Sequence, residues 1–301
     1  MVQIIRSLTK LREWRLAQTL ARRKVGFVPT MGALHAGHID LIRQSMAATP
    51  ATVISIFVNP SQFAPHEDLS KYPRSFEKDI AEITEVSRSA RPEVEPVVFM
   101  PEVDEMYPSG IELDRTKQVG AFVEVLGLSH QLEGLVRPHF FRGVATVVSK
   151  LFNAIQPDVA FFGQKDIQQV SVVRRMVKDL LFPIEIVMGK TAREKSGLAM
   201  SSRNQYLDPE TRQKATVLYR ALKNAENEYN AGETSSKVLV DIVKKTLSAE
   251  PVVKNIEYVE ITDLESLSPQ ENARPGSVLS AAIALNSAAG TPLRILDNII
   301  L

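Results

Sequence analysis

Val25-Gly26-Phe27-Val28-Pro29-Thr30-Met31-Gly32-Ala33-Leu34-His35-Ala36-Gly37-His38 is the stretch that decides the fold. A short apolar run from Val25 to Pro29 breaks at Thr-Met-Gly, and a helical pattern takes over from about His35. A strand therefore hands over to a helix here. Open α/β sheets bind ligands beyond the carboxyl ends of their strands, and the amino end of a helix favours negative charge. His35 and His38, three residues apart, share one face of that first turn, where both can donate N–H groups to phosphate oxygens. Gly32 and Gly37 carry no β-carbon to hold a nucleotide off the backbone. The plainer reading is a glycine turn with two unrelated surface histidines, and the strand and Pro-Thr-Met-Gly before it weaken that reading.

The same alternation continues outward. Thr52 to Val58 is β-branched and almost wholly apolar, as a strand covered on both faces at the centre of a sheet must be. Ser75 is placed to cap a helix with Phe76, Ile80 and Ile83 on one face. Val97 to Met100 reads as a strand. A helix from about Gly143 to Ile155 precedes the strand Val159 to Phe162, Asp166 can cap the next helix, and Ile184 to Val187 closes the series. Strands alternating with helices predict an α/β domain with a Rossmann-like parallel sheet over residues 1–188. After residue 188 the texture changes. Lys190 to Asn204 is polar and aperiodic, as a functional loop or hinge is. Asp208-Pro209-Glu210 starts a helix, two helices are expected, and strands follow near Ile256 to Ile261 and Ser277 to Leu285. Residues 189–301 thus read as a smaller α+β domain.

Composition narrows the function. Lysine plus arginine number 36 against 35 acidic residues, a net charge of +1, which gives no global pull toward nucleic acid or anionic lipid. The absence of cysteine removes disulfides, thiolate metal sites and thiol nucleophiles. No apolar run reaches the roughly 18 residues of a membrane span. The basic segment Arg6 to Lys24 resembles a transit helix, but a core-like strand follows it at Val25 with no spacer. It is read as a surface helix with Leu8, Leu11 and Leu20 inward, in a soluble, cytoplasmic protein.

Three further clusters sit where loops meet regular elements. In Phe57-Val58-Asn59-Pro60-Ser61-Gln62-Phe63 a buried strand ends and presents two amides, Asn59 and Gln62, each with a donor and an acceptor for a small polyol acid. In Phe162-Gly163-Gln164-Lys165-Asp166-Ile167-Gln168-Gln169, Gly163 permits close backbone approach, Lys165 offers a point charge for phosphate, and Asp166 can accept from ribose hydroxyls or cap the helix. In Gly197-Leu198-Ala199-Met200-Ser201-Ser202-Arg203-Asn204, two hydroxyls and an arginine can close over a triphosphate. Each cluster alone is ordinary loop material, and lysine is usually just solvated.

His35-Ala36-Gly37-His38 at a first strand–helix junction resembles the HIGH signature of class I aminoacyl-tRNA synthetases and related nucleotidylyltransferases, and the Met200 to Asn204 loop resembles their mobile KMSKS loop. In order and spacing, PTMGALHAGH, FVNPSQF, RGVATVVSKLFN, FGQKD-x-QQ and GLAMSSRN-x-YL resemble the pantothenate synthetases, from about residue 25 to 210. The resemblance implies ATP-dependent condensation of pantoate with β-alanine through an acyl-adenylate, with Mg2+, in a homodimer. It implies ATP contacts at Met31, Gly32, His35, Gly37, His38, Gly163, Gln164, Lys165 and Asp166, and at Met200, Ser201, Ser202, Arg203 and the backbone of Ala192. Pantoate would meet Gln62, Gln169 and Asn59, and β-alanine would meet Gln62. His38, His35, Lys165 and Arg203 would carry the chemistry, and the MSSR loop would serve as a lid. Asp79 is either a magnesium-associated carboxylate or, more plainly, an exposed helix residue. Ser196 stands where the family usually has aspartate, and His139 is shifted by one residue from the bacterial RPGHF pattern. The extra polar segment around Ser87 to Pro96 and Phe-Phe-Arg-Gly at residues 140–143 look more like eukaryotic members. A nucleotidylyltransferase acting on a phosphorylated acceptor would need more arginine than the amide rim offers, and a tRNA-binding relative would need a basic face.

Overall fold

The computed structural model describes residues 2–63, 69, 72–90, 94–286 and 293–301. The chain divides into two compact units, Met1–Gly163 with Val172–Gly189, and Gln164–Ser171 with Lys190–Leu301. Gln164–Ser171, inside the segment that the sequence assigns to the first domain, thus groups with the second unit.

In the first unit six strands, β1 (Gln3–Ile5), β2 (Val25–Thr30), β3 (Ala51–Ile56), β4 (Glu95–Phe99), β5 (Val159–Gly163) and β6 (Glu185–Gly189), form a parallel sheet in the order β1-β4-β3-β2-β5-β6. The sequence runs outward from β2 to one side and then returns to β5 on the other, which makes the β2/β5 pair the switch point where such sheets bind ligands. β3, predicted central, is buried at every position. β1 was not legible in the sequence: three residues are too few to show a period, and its partner β4 lies some ninety residues away.

The helices of this unit are α1 (Leu8–Leu20), α2 (Ala36–Ala48), α3 (Phe76–Arg88), the short α4 (Val103–Met106) and α5 (Glu133–Val136), and α6 (Phe140–Ile155). Ile39, Ile42 and Met46 of α2 pack with Val28, Ile54, Ile83 and Val98 in one apolar layer. On α1 only Leu11 is buried, and Leu20, expected inward, is 77% exposed. Lacking more inward residues, α1 is held by polar ties as well, including Arg15 Nε donating to the carbonyl of Gln156 at 3.0 Å. α2 descends onto β2 at Gly26, where a β-carbon would lie 2.2 Å from Ser45 Oγ and 2.5 Å from Thr49 Oγ1. Both hydroxyls are buried and hydrogen-bonded, so neither can retreat cheaply.

α7 (Ile167–Asp179) follows β5, and its first turn counts with the second unit. That unit also holds α8 (Pro209–Lys214), α9 (Val217–Asn230) and α10 (Ser236–Ser248), then an antiparallel sheet β7-β8-β9 of Val253–Thr262, Val278–Leu285 and Leu293–Ile300. Asp208 starts α8 as predicted, accepting from the backbone N–H of Thr211 at 2.9 Å with proline in the first turn. Three helices stand where two were expected, because the helical run breaks between Lys214 and Val217. Strand β9 was missed. Leu218, Leu222, Leu239, Val243, Leu279, Ile283 and Ile299 form the core of this unit.

Gly26→Ala is expected to destabilise the protein by about 1–3 kcal/mol through overpacking. Urea unfolding would read this as a lower midpoint with an unchanged slope; an unaltered midpoint would mean that α2 does not press on β2 as described.

Candidate active site

In the first unit the loop after β2 turns through two residues at positive φ, Gly32 at 81° and Ala33 at 50°. Glycine adopts this region without strain and alanine does not. The carboxylate of Asp79 on α3 holds the turn: Oδ2 accepts from the N–H of Ala33 at 2.9 Å and Oδ1 from the N–H of Leu34 at 2.8 Å. Ser75 Oγ donates to Oδ1 as well, at 3.0 Å. Asp79 is only 1% exposed, so the exposed-helix expectation is corrected. Ser75 sits at the N-cap position but makes no side-chain cap bond, its hydroxyl being turned to Asp79. A β-carbon on Gly32 would come 3.1 Å from Asp79 Oδ2, so this glycine serves both the turn and the carboxylate's approach.

The loop delivers His35 to the N-cap of α2. There the two imidazoles form a reciprocal capping box. His35 Nδ1 accepts from the N–H of Gly37 at 3.2 Å, and His38 Nδ1 accepts from the N–H of His35 at 3.4 Å. The rings lie against each other, tilted by 32°, with centroids 4.0 Å apart. A nitrogen that accepts an N–H carries no proton, so each neutral ring carries its proton on Nε2. The histidines therefore cap the helix through one nitrogen and carry their N–H on the other, a division of labour that the i, i+3 spacing alone did not reveal.

Beside this loop lies the amide pair. Gln62 Nε2 donates to Met31 Sδ at 3.1 Å, and Asn59 Nδ2 donates to Gln62 Oε1 at 3.1 Å and to the carbonyl of Gly143 at 3.2 Å. Asn59 Oδ1 accepts from Tyr107 at 2.6 Å and from Ser61 at 3.0 Å. The Asn59 amide is buried and committed to the protein; it orients Gln62. Burial pushes the Tyr107 phenol up to about 12, against hydrogen bonds with Ser61 and Asn59 that lower it, so it remains a donor. Lys150 Nζ lies 3.8 Å from the Tyr107 ring centroid and donates to the carbonyl of Met106 at 2.8 Å, with burial pulling its ammonium down. Helix α6 reaches this network because Gly143 has no β-carbon: one there would lie 2.5 Å from the carbonyl oxygen of Ser61. Sequence reasoning gave no role to Tyr107 or to Arg137, which it met only within the segment compared with RPGHF. Arg137 is largely covered, donates to the carbonyl of Gln62 at 3.4 Å and stacks on Phe140 at 4.0 Å. His139 is an exposed residue at the start of α6.

In the second unit, Gln164–Asp166 forms a 3-10 turn leading into α7. The Lys165 side chain is 19% exposed, so it is not the fully solvated charge of the plainer reading, and its Nζ lies 3.4 Å from Asp166 Oδ1. Gln169, partly exposed, follows on the first turn of α7. The polar segment from Lys190, aperiodic in sequence, is closely stitched. Met200 N–H donates to the carbonyl of Ala192 at 2.9 Å, Asn204 Nδ2 donates to Glu194 and to the carbonyl of Ala199, and Arg212 pairs with Glu194 at 2.7 Å. The Arg212 hydrogen bond draws the Glu194 carboxyl below the usual glutamate range. Ser201 caps a 3-10 turn over Ser202–Tyr206 by accepting from the N–H of Arg203 at 3.2 Å. Arg203 and Ser196 are exposed.

Comparison with known proteins decides the family. The family model described as Pantoate-beta-alanine ligase matches residues 3–300. The chain belongs to this family. A pantothenate synthetase of Chloroflexus aggregans is 44% identical over 298 residues, covering 99% of each chain. The pantoate–β-alanine ligase of Saccharomyces cerevisiae is 43% identical over the full length of both. Bacterial and yeast relatives are thus equally similar, and the eukaryotic look of residues 140–143 does not separate them. The crystal structure of pantothenate synthetase from Thermus thermophilus superposes with a TM-score of 0.87 at 41% identity over 99% of each chain. A Francisella tularensis pantoate–β-alanine ligase, crystallised as a complex with β-γ ATP and β-alanine, superposes at 0.75 with 28% identity, covering 100% of this chain and 98% of that one. As in these ligases, the parallel sheet and the strand–helix junction of the HIGH-type fold are in place.

Asp79→Asn keeps the shape of the loop anchor but sets an amide N–H₂ against a backbone N–H. It is expected to cost about 1–3 kcal/mol in urea unfolding and to weaken nucleotide use by the chain. Unchanged stability together with an unchanged KM for ATP would overturn the clamp.

Proposed function

We propose that the chain condenses (R)-pantoate with β-alanine at the expense of ATP, through a pantoyl-adenylate. The observation that carries the reading is the paired imidazoles, whose Nδ1 atoms accept backbone N–H groups and whose protons therefore sit on Nε2, at the helix start beyond the switch-point strand. Fixed donors of this kind favour charge that develops on phosphate oxygens as a phosphorus–oxygen bond is exchanged. A pantoate carboxylate oxygen attacks the α-phosphate and pyrophosphate leaves. The β-alanine amine then attacks the acyl carbon, AMP departs, and the amine proton is lost to solvent.

In this reading His38 and His35 donate through Nε2, and Lys165 and Arg203 supply positive charge to the phosphates. Met31, Gly32, Gly37, Gly163, Gln164, Asp166, Met200, Ser201, Ser202 and the backbone of Ala192 take the rest of the nucleotide. Gln62, held in place by Asn59, and Gln169 bind pantoate, and Gln62 also serves β-alanine. Magnesium enters with the substrate as MgATP, its ligands mainly triphosphate oxygens and water. Asp79 does not suit a direct ligand role, since its oxygens already accept from three donors. The sheet-bearing unit carries the histidine and amide sites, and the second unit carries the Lys165 turn and the MSSR segment. Homodimeric assembly and a cytoplasmic location complete the proposal; among the described residues no helix is long and apolar enough to cross a membrane.

The test follows AMP and pyrophosphate release from MgATP and pantoate, with and without β-alanine. Steady AMP formation that requires both substrates, reduced about a hundredfold or more in His38→Ala, is the expected result. Adenylate formation indifferent to β-alanine would replace the ligase reading with a nucleotidylyltransferase, and absence of turnover would refute both.

A further inference from the structure

Two adjacent residues of β9, Asp297 and Asn298, lie at the centre of an unusual set of bonds within the second unit. Both are almost wholly buried, although they interrupt a largely apolar strand. Buried polar groups are tolerated only when satisfied, and these two are satisfied by segments far away in sequence. Asn298 Nδ2 donates to the carbonyls of Gln164 at 3.0 Å and Lys165 at 2.9 Å, and Asn298 Oδ1 accepts from Gln164 Nε2 at 3.3 Å. One side chain therefore closes on the backbone of the turn that carries Lys165. Asp297 receives a bidentate pair from Arg193, at 2.5 and 3.0 Å. Arg193 also donates to the carbonyl of Gly197 at 3.2 Å and lies over the Tyr219 ring at 3.8 Å. Gly197, at φ 95°, closes the turn that returns the chain to Leu198 and on to Met200–Arg203. A β-carbon at that position would strike Tyr219 at 2.7 Å, so ring, guanidinium and turn are packed as one body.

We propose that Asn298 and Asp297 are positioning residues that lock the Lys165 turn and the Arg193–Arg203 loop to a single strand, so that both segments meet the ATP phosphates in one fixed geometry. This rests on the reading that Lys165 and the MSSR segment bind ATP. The chemistry requires these residue types. Only an amide offers two donors to two carbonyls together with an acceptor for Gln164, and only a carboxylate matches the guanidinium fork. Asn298→Asp would set an anion against two carbonyl oxygens.

Adenylate formation is measured as pantoate-dependent exchange of labelled pyrophosphate into ATP, for wild type, Asn298→Ala, Lys165→Ala and the double variant, with thermal unfolding recorded for each. The expected result for Asn298→Ala is a loss of about tenfold or more in kcat/KM for ATP, with KM for pantoate nearly unchanged. In the Lys165→Ala background the same change should cost clearly less than in wild type, because the charged group being positioned is gone. Arg193→Lys, which keeps the charge and loses the fork, should show a deficit that also falls on ATP and not on pantoate. Equal losses for both substrates, or additive losses in the double variant, would reduce the pair to ordinary structural residues. If Asn298→Ala fails to fold, Asn298→Ser, which keeps one donor, takes its place under the same criteria. Binding of a non-hydrolysable ATP analogue, followed by calorimetry, separates the two readings: a wild type that binds the analogue but makes no pantoyl-adenylate refutes the ligase proposal alone. Asn298→Ala binding the analogue as tightly as wild type would refute the positioning proposal alone.

Discussion

A carboxylate holding a strained turn is the constraint on which the rest of the first unit's site depends. Ala33 at positive φ carries backbone strain. Asp79 offsets it with two charge-assisted bonds to successive N–H groups, made in a buried setting where such bonds are strong. The clamp determines where the chain leaves β2 and therefore where α2 begins. The start of α2 in turn fixes both imidazoles, since each caps the helix through its own Nδ1. A side chain from α3, some forty residues downstream, thus determines the direction in which two histidine protons point.

The same design recurs around the other polar groups. Gln62 is oriented by Asn59, Asn59 by Tyr107 and Ser61, and the approach of α6 to this network depends on the missing β-carbon of Gly143. In the second unit Arg193 is held by Asp297, although burial pushes that carboxyl up; the arginine hydrogen bond, its charge, the Asn298 N–H and the Lys165 charge act in the opposite direction. Buried partners held by further buried partners keep their geometry, because each rotamer is fixed on several sides. That rigidity matters for chemistry that relies on prearranged donors more than on proton transfer.

Much of this was legible in the chain. β2, β3 and β5 are almost wholly apolar runs, and a strand buried on both faces needs little context to be recognised. The Asp208-Pro209 start of α8 carries its own capping chemistry. β1 is too short to show a period. β9 was obscured by Asp297-Asn298, which resembles a turn until Arg193 and the Gln164–Lys165 carbonyls are seen to satisfy it. Leu20 was expected inward from hydrophobicity alone, yet α1 buries only Leu11 and leans on polar ties to the rest of its unit. Asp79 and Asn59 were assigned by residue type to a metal or a surface, and to a substrate. In the structure Asp79 accepts from the distant N–H groups of Ala33 and Leu34, and Asn59 bonds to the distant Tyr107 and Gly143 as well as to its neighbours Ser61 and Gln62.

By itself, the sequence determined the alternation of strand and helix, the family, and the identity of the side chains gathered at loop–helix junctions, because those depend on local pattern and on motifs read in order. Only the tertiary structure decided how the loop that presents the two histidines is held, what orients the Asn59 and Gln62 amides, and which carboxylates are occupied by the protein itself. Those outcomes depend on partners 46, 48, 84, 104 and 133 residues away. A hydrogen bond's direction is set where the chain comes together in space, and no local pattern records it.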